Sequence, residues 1–245
     1  MKLHKHIPNT ITCLNLLCGV LGILEATKGN LVNASYLIFL ACLFDFLDGF
    51  AARLLKASSP IGKDLDSLAD MVTFGVLPAL IAIELIEATL TLNTPIPSIL
   101  LGLPLAIPVF SALRLAKFNN DTRQSLSFIG IPTPENAIFI ASLPLIFKNS
   151  PETYDFLNNL VPVPILIALL SIIMSFLLVS DISIFALKFS NFSIKENRIK
   201  YIFLILSALL LFFLNFSAIP MIVILHIILS AGEALMFKGI NFNGK

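Results

Sequence analysis

The feature that most constrains the fold is a series of long apolar segments separated by short polar ones. A helix adds about 1.5 Å per residue, so roughly 20 apolar residues cross the hydrocarbon layer of a bilayer. Hydrophobic residues make up 57% of the chain and charged residues only 13%, which is too apolar for a soluble domain. The sequence therefore predicts an all-α, polytopic membrane bundle forming one domain over residues 1–245. About eight transmembrane helices are expected, at residues 9–28, 33–55, 62–88, 97–117, 134–148, 161–180, 200–216 and 218–237.

The lysines and arginines predict how this bundle is oriented. Basic residues accumulate on the cytoplasmic side of membrane proteins. With eight spans and the amino terminus inside, 14 of the 16 lie on that side, and only Lys28 and Lys148 lie outside. The net charge of +1 gives no indication of nucleic-acid binding, and the basic loops are expected to face anionic membrane lipids.

Four aspartates within the apolar sequence are the strongest indication of a functional site. Asp45 and Asp48 are three residues apart, and Asp66 and Asp70 are four apart, so each pair projects from one face of a helix. Carboxylates close together at membrane depth are costly unless they are paired or bind a cation, and Mg²⁺ or Mn²⁺ prefers such oxygen ligands. Alternatively, the acids form ion pairs or a solvated helix end. The cations available for pairing are Arg53, Lys56 and Lys63.

The residues between the two acid pairs suggest a phosphate-binding surface. Gly49 and Ala52 have small side chains that leave room for a close approach, and Arg53 offers a forked donor to phosphate oxygens. Pro60 and Gly62 interrupt the helical pattern, so the chain is expected to reverse there and to begin a new helix near Gly62.

This pattern resembles the signature of the CDP-alcohol phosphotransferase family. Every fixed position of that signature is filled, by Asp45, Asp48, Gly49, Ala52, Arg53, Gly62, Asp66 and Asp70. Further segments are similar to the integral-membrane phosphatidylserine synthase branch of the family, at residues 7–16, 66–79, 114–119, 130–134 and, more faintly, 180–188. No motif is assigned after about residue 200.

The resemblance implies transfer of the phosphatidyl group of CDP-diacylglycerol to the hydroxyl of L-serine, with release of CMP. It implies that Asp45, Asp48 and Asp66 bind Mg²⁺ or Mn²⁺, and that Asp70 is the general base and shares a second ion. Contact with the CDP-lipid is implied for Asp48, Gly49, Ala52, Arg53 and Gly62. A homodimer is also expected from the family.

The first helix and the fourth add candidates of their own. Asn9, Thr12 and Asn15 line one face of the first helix, where they contact the donor or else hydrogen bond to other helices. For the serine acceptor the candidates are Arg114, Asn119 and Thr133, with Arg114 alternatively a topological anchor.

Two other functions are compatible with these residues. An enzyme of the same family could use glycerol 3-phosphate or inositol phosphate as acceptor, and an ether-lipid donor stays open. A metal-ion or solute transporter would also bury carboxylates, although transport sites usually lie near the bilayer midplane on broken helices.

Overall fold

The computed structural model describes residues 6–57, 59–90, 99–120, 127–187, 191, 193–194 and 196–242, without the side chains of residues 127–128 and 235–242. The helices are α1 Ile7–Ala26, α2 Leu31–Leu54, α3 Pro60–Asp70, α4 Leu77–Ala88, α5 Ile99–Gly102, α6 Ala106–Asn120, α7 Thr133–Asn149, α8 Pro151–Leu160, α9 Val163–Val179, α10 Arg198–Leu214 and α11 Ala218–Phe242. A π-helical turn, Met71–Val76, joins α3 to α4, and 3₁₀ turns at Leu103–Leu105 and Asn215–Ser217 precede α6 and α11.

The all-α prediction is confirmed, and each predicted apolar segment overlaps one or more helices of the described residues. Among the described residues, four helical stretches are long and apolar enough to cross a membrane: Ile7–Ala26, Pro60–Ala88, Ile99–Asn120 and Arg198–Ala234. A fifth is added if α8 and α9, bent by 85°, count as one broken span. The predicted count of eight spans is therefore not confirmed.

The orientation of the bundle stays a prediction. Six of the basic residues on which it depends lie outside the described residues, namely Lys2, Lys5, Arg123, Lys188, Lys195 and Lys245.

The first two helices form a tight hairpin that carries half of the site. Gly29 closes the turn with φ of 77°, a conformation that side chains other than glycine rarely adopt. Glu25 stabilises the turn by accepting hydrogen bonds from Lys28, Asn30 and Asn33, at 3.0 to 3.2 Å. Along its length α1 packs against α2, α3 and the π turn.

The π turn lies directly after Asp70 and has an identifiable cause. Pro78 has no backbone N–H, so the carbonyl of Phe74 cannot receive the usual i+4 hydrogen bond. The N–H of Leu77, the residue before Pro78, reaches the carbonyl of Val72, five residues earlier, which is the hydrogen bond of a π turn. A π turn contains one residue more than an α-helical turn. The helix therefore continues to Ala88, but the residues after Asp70 lie on a different face than they would in an uninterrupted α-helix.

The most buried helices, α4 and α7, pack against each other and against α2 and α9. Large side chains in this region are fully buried, including Ile81, Ile140 and Ile167 and, from the π turn, Phe74. By contrast, α10 exposes large apolar side chains, as expected of a helix that faces lipid; Phe212 is 78% exposed.

A small antiparallel ribbon, not predicted from the sequence, joins two loops next to the helical bundle. Strand β1, Ser127–Ile129, pairs with β2, Ser183–Phe185. Gly130 follows with φ of 76°, and a Cβ there would lie 2.3 Å from the carbonyl oxygen of Leu178. The ribbon thus places the loop before α7 against the end of α9.

Candidate active site

Three of the four aspartates meet where α2 and α3 come together. Carboxylate oxygens of Asp45, Asp48 and Asp66 all lie within 4.8 Å of one another. Asp45 and Asp48 are one turn apart on α2, and Asp66 approaches them from α3. No lysine or arginine among the described residues lies within ion-pair distance of these acids, which argues against the ion-pair alternative.

The chemistry of this group fits a divalent cation. One buried oxygen of Asp66, Oδ1, has no hydrogen-bond partner in the described part of the chain. Unpaired carboxylates at such short separation repel each other strongly where the dielectric is low, and a hard cation removes that repulsion. Asp45, Asp48 and Asp66 are therefore the residues that could hold Mg²⁺ or Mn²⁺.

Asp70 lies one helical turn beyond Asp66 and is not part of this three-carboxylate group. Its side chain is buried, with 7% exposed, and the amide of Asn15 donates a hydrogen bond to its Oδ1 at 3.3 Å. Asp70 is thus held by α1, beside the three-carboxylate group, at the point where the π turn begins.

The first helix positions the acids through hydrogen bonds. The hydroxyl of Thr12 donates to Oδ2 of Asp48 at 2.6 Å, a short contact typical of a charge-assisted bond. One turn later, Asn15 donates to Asp70 and also accepts, through its backbone carbonyl, a hydrogen bond from the hydroxyl of Thr73 at 3.2 Å. The sequence placed Thr12 and Asn15 on one face and Thr73 in the segment 66–79 that resembles the family, but it did not predict the contact between Thr73 and Asn15.

An open cleft of about 200 Å³ lies beside the acids. It is lined by Pro8, Asn9, Thr12, Asp48, Gly49, Ala52, Ala57, Ser59, Gly62, Lys63 and Asp66. Six of the seven predicted donor-binding residues are among them, and Arg53 is the exception. Arg53 is exposed on α2, with its guanidinium near Gly49: a Cβ on Gly49 would lie 3.5 Å from Nη1.

The start of α3 forms one wall of this cleft. Ser59 caps the helix by accepting a hydrogen bond from the N–H of Gly62 at 3.1 Å, and Pro60 occupies the first turn. A Cβ on Gly62 would lie 3.0 Å from Oδ1 of Asn9. Glycine therefore keeps this wall close to α1 and leaves its backbone open to the cleft.

The predicted acceptor residues occupy different environments. Arg114 is buried on α6, and its guanidinium carbon lies 5.4 Å from the centre of the Phe118 ring. Thr133 is fully buried at the start of α7. Asn119 instead connects α6 to α3. Its side-chain amide donates a hydrogen bond to the Ser67 hydroxyl at 2.8 Å, and its backbone carbonyl accepts one from the Lys63 ammonium at 2.7 Å.

A partly buried pair between the last helix and α7 was also not indicated by the sequence. Nδ1 of His226 lies 2.8 Å from Oε1 of Glu135, and Nε2 lies 3.0 Å from the carbonyl oxygen of Phe185. His226 also packs against the rings of Phe185 and Phe203. These contacts connect α11, α10 and β2 to the first turn of α7.

The fold and the site together define a helical membrane protein in which three carboxylates converge beside an open cleft. A family model described as CDP-alcohol phosphatidyltransferase matches residues 5–177. The chain belongs to this family, and it is therefore a phosphotransferase.

Individual relatives agree with this assignment. The chain is 37% identical over 178 residues to the CDP-diacylglycerol–serine O-phosphatidyltransferase of Bacillus subtilis, covering 73% of this chain and 89% of the relative. It is 36% identical over 135 residues to the Helicobacter pylori protein of the same name, covering 54% of each chain. The archaetidylserine synthase of Methanothermobacter thermautotrophicus is 37% identical over 138 residues, covering 56% of each chain. The chain thus spans about half the length of the last two.

Proposed function

We propose that the protein transfers the phosphatidyl group of CDP-diacylglycerol to the hydroxyl of L-serine and releases CMP. The observation that carries this proposal is the group of three carboxylates, with oxygens within 4.8 Å, at the wall of an open cleft. The names of the relatives supply the donor and the acceptor.

The cleft suits the cytidine diphosphate part of the donor. Gly49, Ala52 and Gly62 expose backbone along it, so that a flat base and a diphosphate can approach closely. Lys63 lines the same cleft, and Arg53 lies at its edge near Gly49. Both cations can neutralise phosphate oxygens, while the lipid chains stay in the bilayer.

Asp45, Asp48 and Asp66 would hold Mg²⁺ or Mn²⁺ beside the diphosphate. When bound, the cation neutralises phosphate charge and stabilises the leaving CMP. The Thr12 hydroxyl fixes the rotamer of Asp48, so that these ligands are oriented before substrate arrives.

Asp70 is the proposed general base. The serine hydroxyl oxygen forms a bond to the β-phosphorus while the bond from that phosphorus to the CMP oxygen breaks. The hydroxyl proton moves to a carboxylate oxygen of Asp70, one turn from Asp66. Asn15 fixes one oxygen of Asp70 and leaves the other available to accept the proton.

We further propose an amino terminus inside and an active site facing the cytoplasm of the cytoplasmic (inner) membrane, because most basic residues then lie on that side. A homodimer surrounded by membrane lipids is proposed from the family resemblance.

The test is CMP release by the purified protein in nanodiscs, with CDP-diacylglycerol and a panel of alcohols. Serine is expected to give metal-dependent CMP release, and ethanolamine, glycerol 3-phosphate and inositol phosphate little or none. CMP release with glycerol 3-phosphate but not with serine would show that glycerol 3-phosphate, and not serine, is the acceptor. An absence of release with every alcohol, together with metal flux into vesicles, would instead support a transporter.

A parallel assay compares the ester donor with its ether-lipid equivalent. One relative is named an archaetidylserine synthase, so the assay tests whether this protein also accepts a donor with ether-linked chains. Because the proposed binding mode places the headgroup in the cleft and the lipid chains in the bilayer, we expect both donors to be used at rates within about tenfold of each other.

A further inference from the structure

The short helix α8 differs from its neighbours in length and direction. It has ten residues, Pro151–Leu160, and is bent by 85° from α9, which follows it. At about 1.5 Å per residue, α8 is roughly 15 Å long, only half the thickness of the hydrocarbon layer. With 17 residues, α9 is at the lower end of the length that crosses a bilayer. If α9 crosses the bilayer, the bend places α8 close to the plane of the membrane.

Two faces of α8 are apolar, one packed against the bundle and one exposed. Tyr154 and Leu157 lie three residues apart and pack against the hydrophobic core. The ring of Tyr154 lies 5.3 Å from the ring of Phe147, near the end of α7. Phe156 and Leu160, four residues apart on a neighbouring face, are 63% and 66% exposed. The packed face holds α8 on the bundle, and the second apolar face is left uncovered beside it.

The side of α8 opposite the packed face is polar. Three exposed residues, spaced three and four apart, form one polar stripe along the helix: Glu152, Asp155 and Asn159. Successive residues of a helix are about 100° apart, so Phe156 and Leu160 lie between the polar stripe and Leu157. An apolar face beside a polar one is typical of a helix that lies at the membrane surface, with one side among the lipids and the other in water.

The break between α8 and α9 also favours a position at the level of the headgroups. The last carbonyls of a helix have no partner within it, and hydrocarbon offers none. Pro162 lies in the break and supplies no N–H, while the N–H of Val163 donates to Oδ1 of the exposed Asn158 at 3.1 Å. Because α8 has no buried residue, protein does not cover these polar groups. This argues against α8 and α9 forming one broken span.

The exposed apolar residues of α8 lead along the chain to an exposed apolar side of α9. Val161 follows Leu160 directly and is also exposed. On α9, exposed apolar side chains recur every four residues, at Ile165, Leu169 and Ile173, whereas other parts of α9 pack against α4 and α6. Lipid chains are the surroundings of such a stripe on a helix that crosses a bilayer. The same lipid layer is therefore the occupant that fits the exposed face of α8.

We propose that α8 is an interfacial helix that inserts Phe156 and Leu160 into the boundary between the lipid headgroups and the acyl chains. The polar stripe then faces water, and the contact of Tyr154 with α7 holds the helix to the bundle. Both charged residues of α8 are acidic, so insertion of apolar side chains, and not attraction to anionic lipids, binds it to the membrane. The helix thereby fixes the depth at which α7 ends and α9 begins. This inference does not depend on the reaction that the protein catalyses.

The test uses tryptophan as a depth probe, because the chain contains no tryptophan of its own. Phe156→Trp is compared with Asp155→Trp, on the polar stripe, and with Ile205→Trp, at an exposed position in the middle of α10. Each variant is placed in phosphatidylcholine vesicles whose lipids carry bromine either near the headgroup or near the bilayer centre. We expect bromine near the headgroup to quench Phe156→Trp at least about twofold more than bromine near the centre. Ile205→Trp should show the reverse order, and Asp155→Trp should be quenched mainly by acrylamide in the water.

Three results would overturn the proposal. Quenching of Phe156→Trp mainly by bromine near the bilayer centre would place α8 in a broken span. Quenching by acrylamide equal to that of Asp155→Trp would place this face in water. Protection from both quenchers would show that protein, such as a second copy of the chain, covers it. If Phe156→Trp does not fold, as judged by its melting temperature, Leu160→Trp on the same face takes its place, with the same expected results.

Discussion

At the scale of single residues, the site is built from acids that are close together and held by neutral donors. Asp48 and Asp70 each receive a hydrogen bond from α1, at 2.6 Å from Thr12 and 3.3 Å from Asn15. These donors fix the carboxylates without neutralising them, so the negative charge stays available to a cation or a proton. This makes α1 a part of the site although it contributes no acid to it.

The first prediction concerns Thr12. Thr12→Val removes the hydrogen bond to Asp48 with almost no change in shape, so Asp48 is less well oriented as a ligand. We expect the metal concentration for half-maximal activity to rise by about 10- to 100-fold, with a smaller change at saturating metal. The measurement is a Mg²⁺ and Mn²⁺ titration of CMP release.

A matched control is available two residues away. Thr10 is exposed on the other side of α1, where its hydroxyl donates to the His6 carbonyl at 3.0 Å. Thr10→Val should leave the metal titration unchanged. An equal shift in both variants would mean that the threonines act through helix stability and not through Asp48.

The second prediction concerns Asp70. Asp70→Asn keeps the size of the side chain but removes the proton acceptor. We expect CMP release to fall by at least about 100-fold, while CDP-diacylglycerol still binds, since Asp70 is not among the residues that line the donor cleft. Turnover is compared with equilibrium binding of the donor to the protein in nanodiscs.

Asp64→Asn is the control for this variant, because Asp64 is exposed on the same helix and lies outside the three-carboxylate group. It should retain wild-type turnover. If Asp70→Asn retained wild-type turnover, Asp70 would not be the general base.

At the scale of helices, close packing of α1 on the π turn sets the position of Asp70. Gly19 faces Thr73, and a Cβ at Gly19 would lie 2.3 Å from Thr73 Oγ1 and 3.0 Å from its Cα. Such distances force backbone to move. Because Thr73 also donates to the carbonyl of Asn15, a shift here would be transmitted to the donor that holds Asp70.

The third prediction follows from this contact. Gly19→Ala should destabilise the protein by about 1–3 kcal/mol through overpacking, and it should lower turnover as well. Gly232→Ala is the control, since nothing lies within 4 Å of a Cβ there and alanine favours helix. Thermal unfolding in nanodiscs and CMP release measure the two effects. A stable, fully active Gly19→Ala would show that α1 can move away from the π turn without consequence.

At the scale of the whole molecule, a cation bound as proposed would couple the three-carboxylate group to the stability of the bundle. Asp45 and Asp48 belong to α2 and Asp66 to α3, so repulsion among them pushes the two helices apart when no cation is bound. A cation bound only by the folded protein adds stability in proportion to its occupancy.

The fourth prediction tests this coupling. Mg²⁺ or Mn²⁺ at about 100 times its dissociation constant should stabilise the protein by about 2.7 kcal/mol, and chelation should reverse the effect. Asp66→Asn reduces the repulsion, so it should be more stable than wild type in chelator but gain little from metal. Melting curves with and without metal provide the comparison. Equal stabilisation of both proteins would place the cation elsewhere.

The sequence alone determined the all-α membrane class, the helix segments and the membership of the family. The length of each apolar segment and the spacing of Asp45, Asp48, Asp66 and Asp70 are local properties of the sequence. Residues three or four apart lie on the same face of a helix, so the spacing alone predicts which acids project together. The cleft residues Asn9, Gly49, Ala52 and Gly62 were also predicted, because the family signature contains most of them.

Only the tertiary structure decided which groups meet across helices. The bonds from Thr12 and Asn15 to the acids, the contact of Thr73 with α1 and the pair of His226 with Glu135 join residues far apart in the chain. The ribbon between β1 and β2 is also a long-range pairing. Such contacts depend on helix rotation and register, which the π turn shifts beyond Asp70 and which no local pattern records.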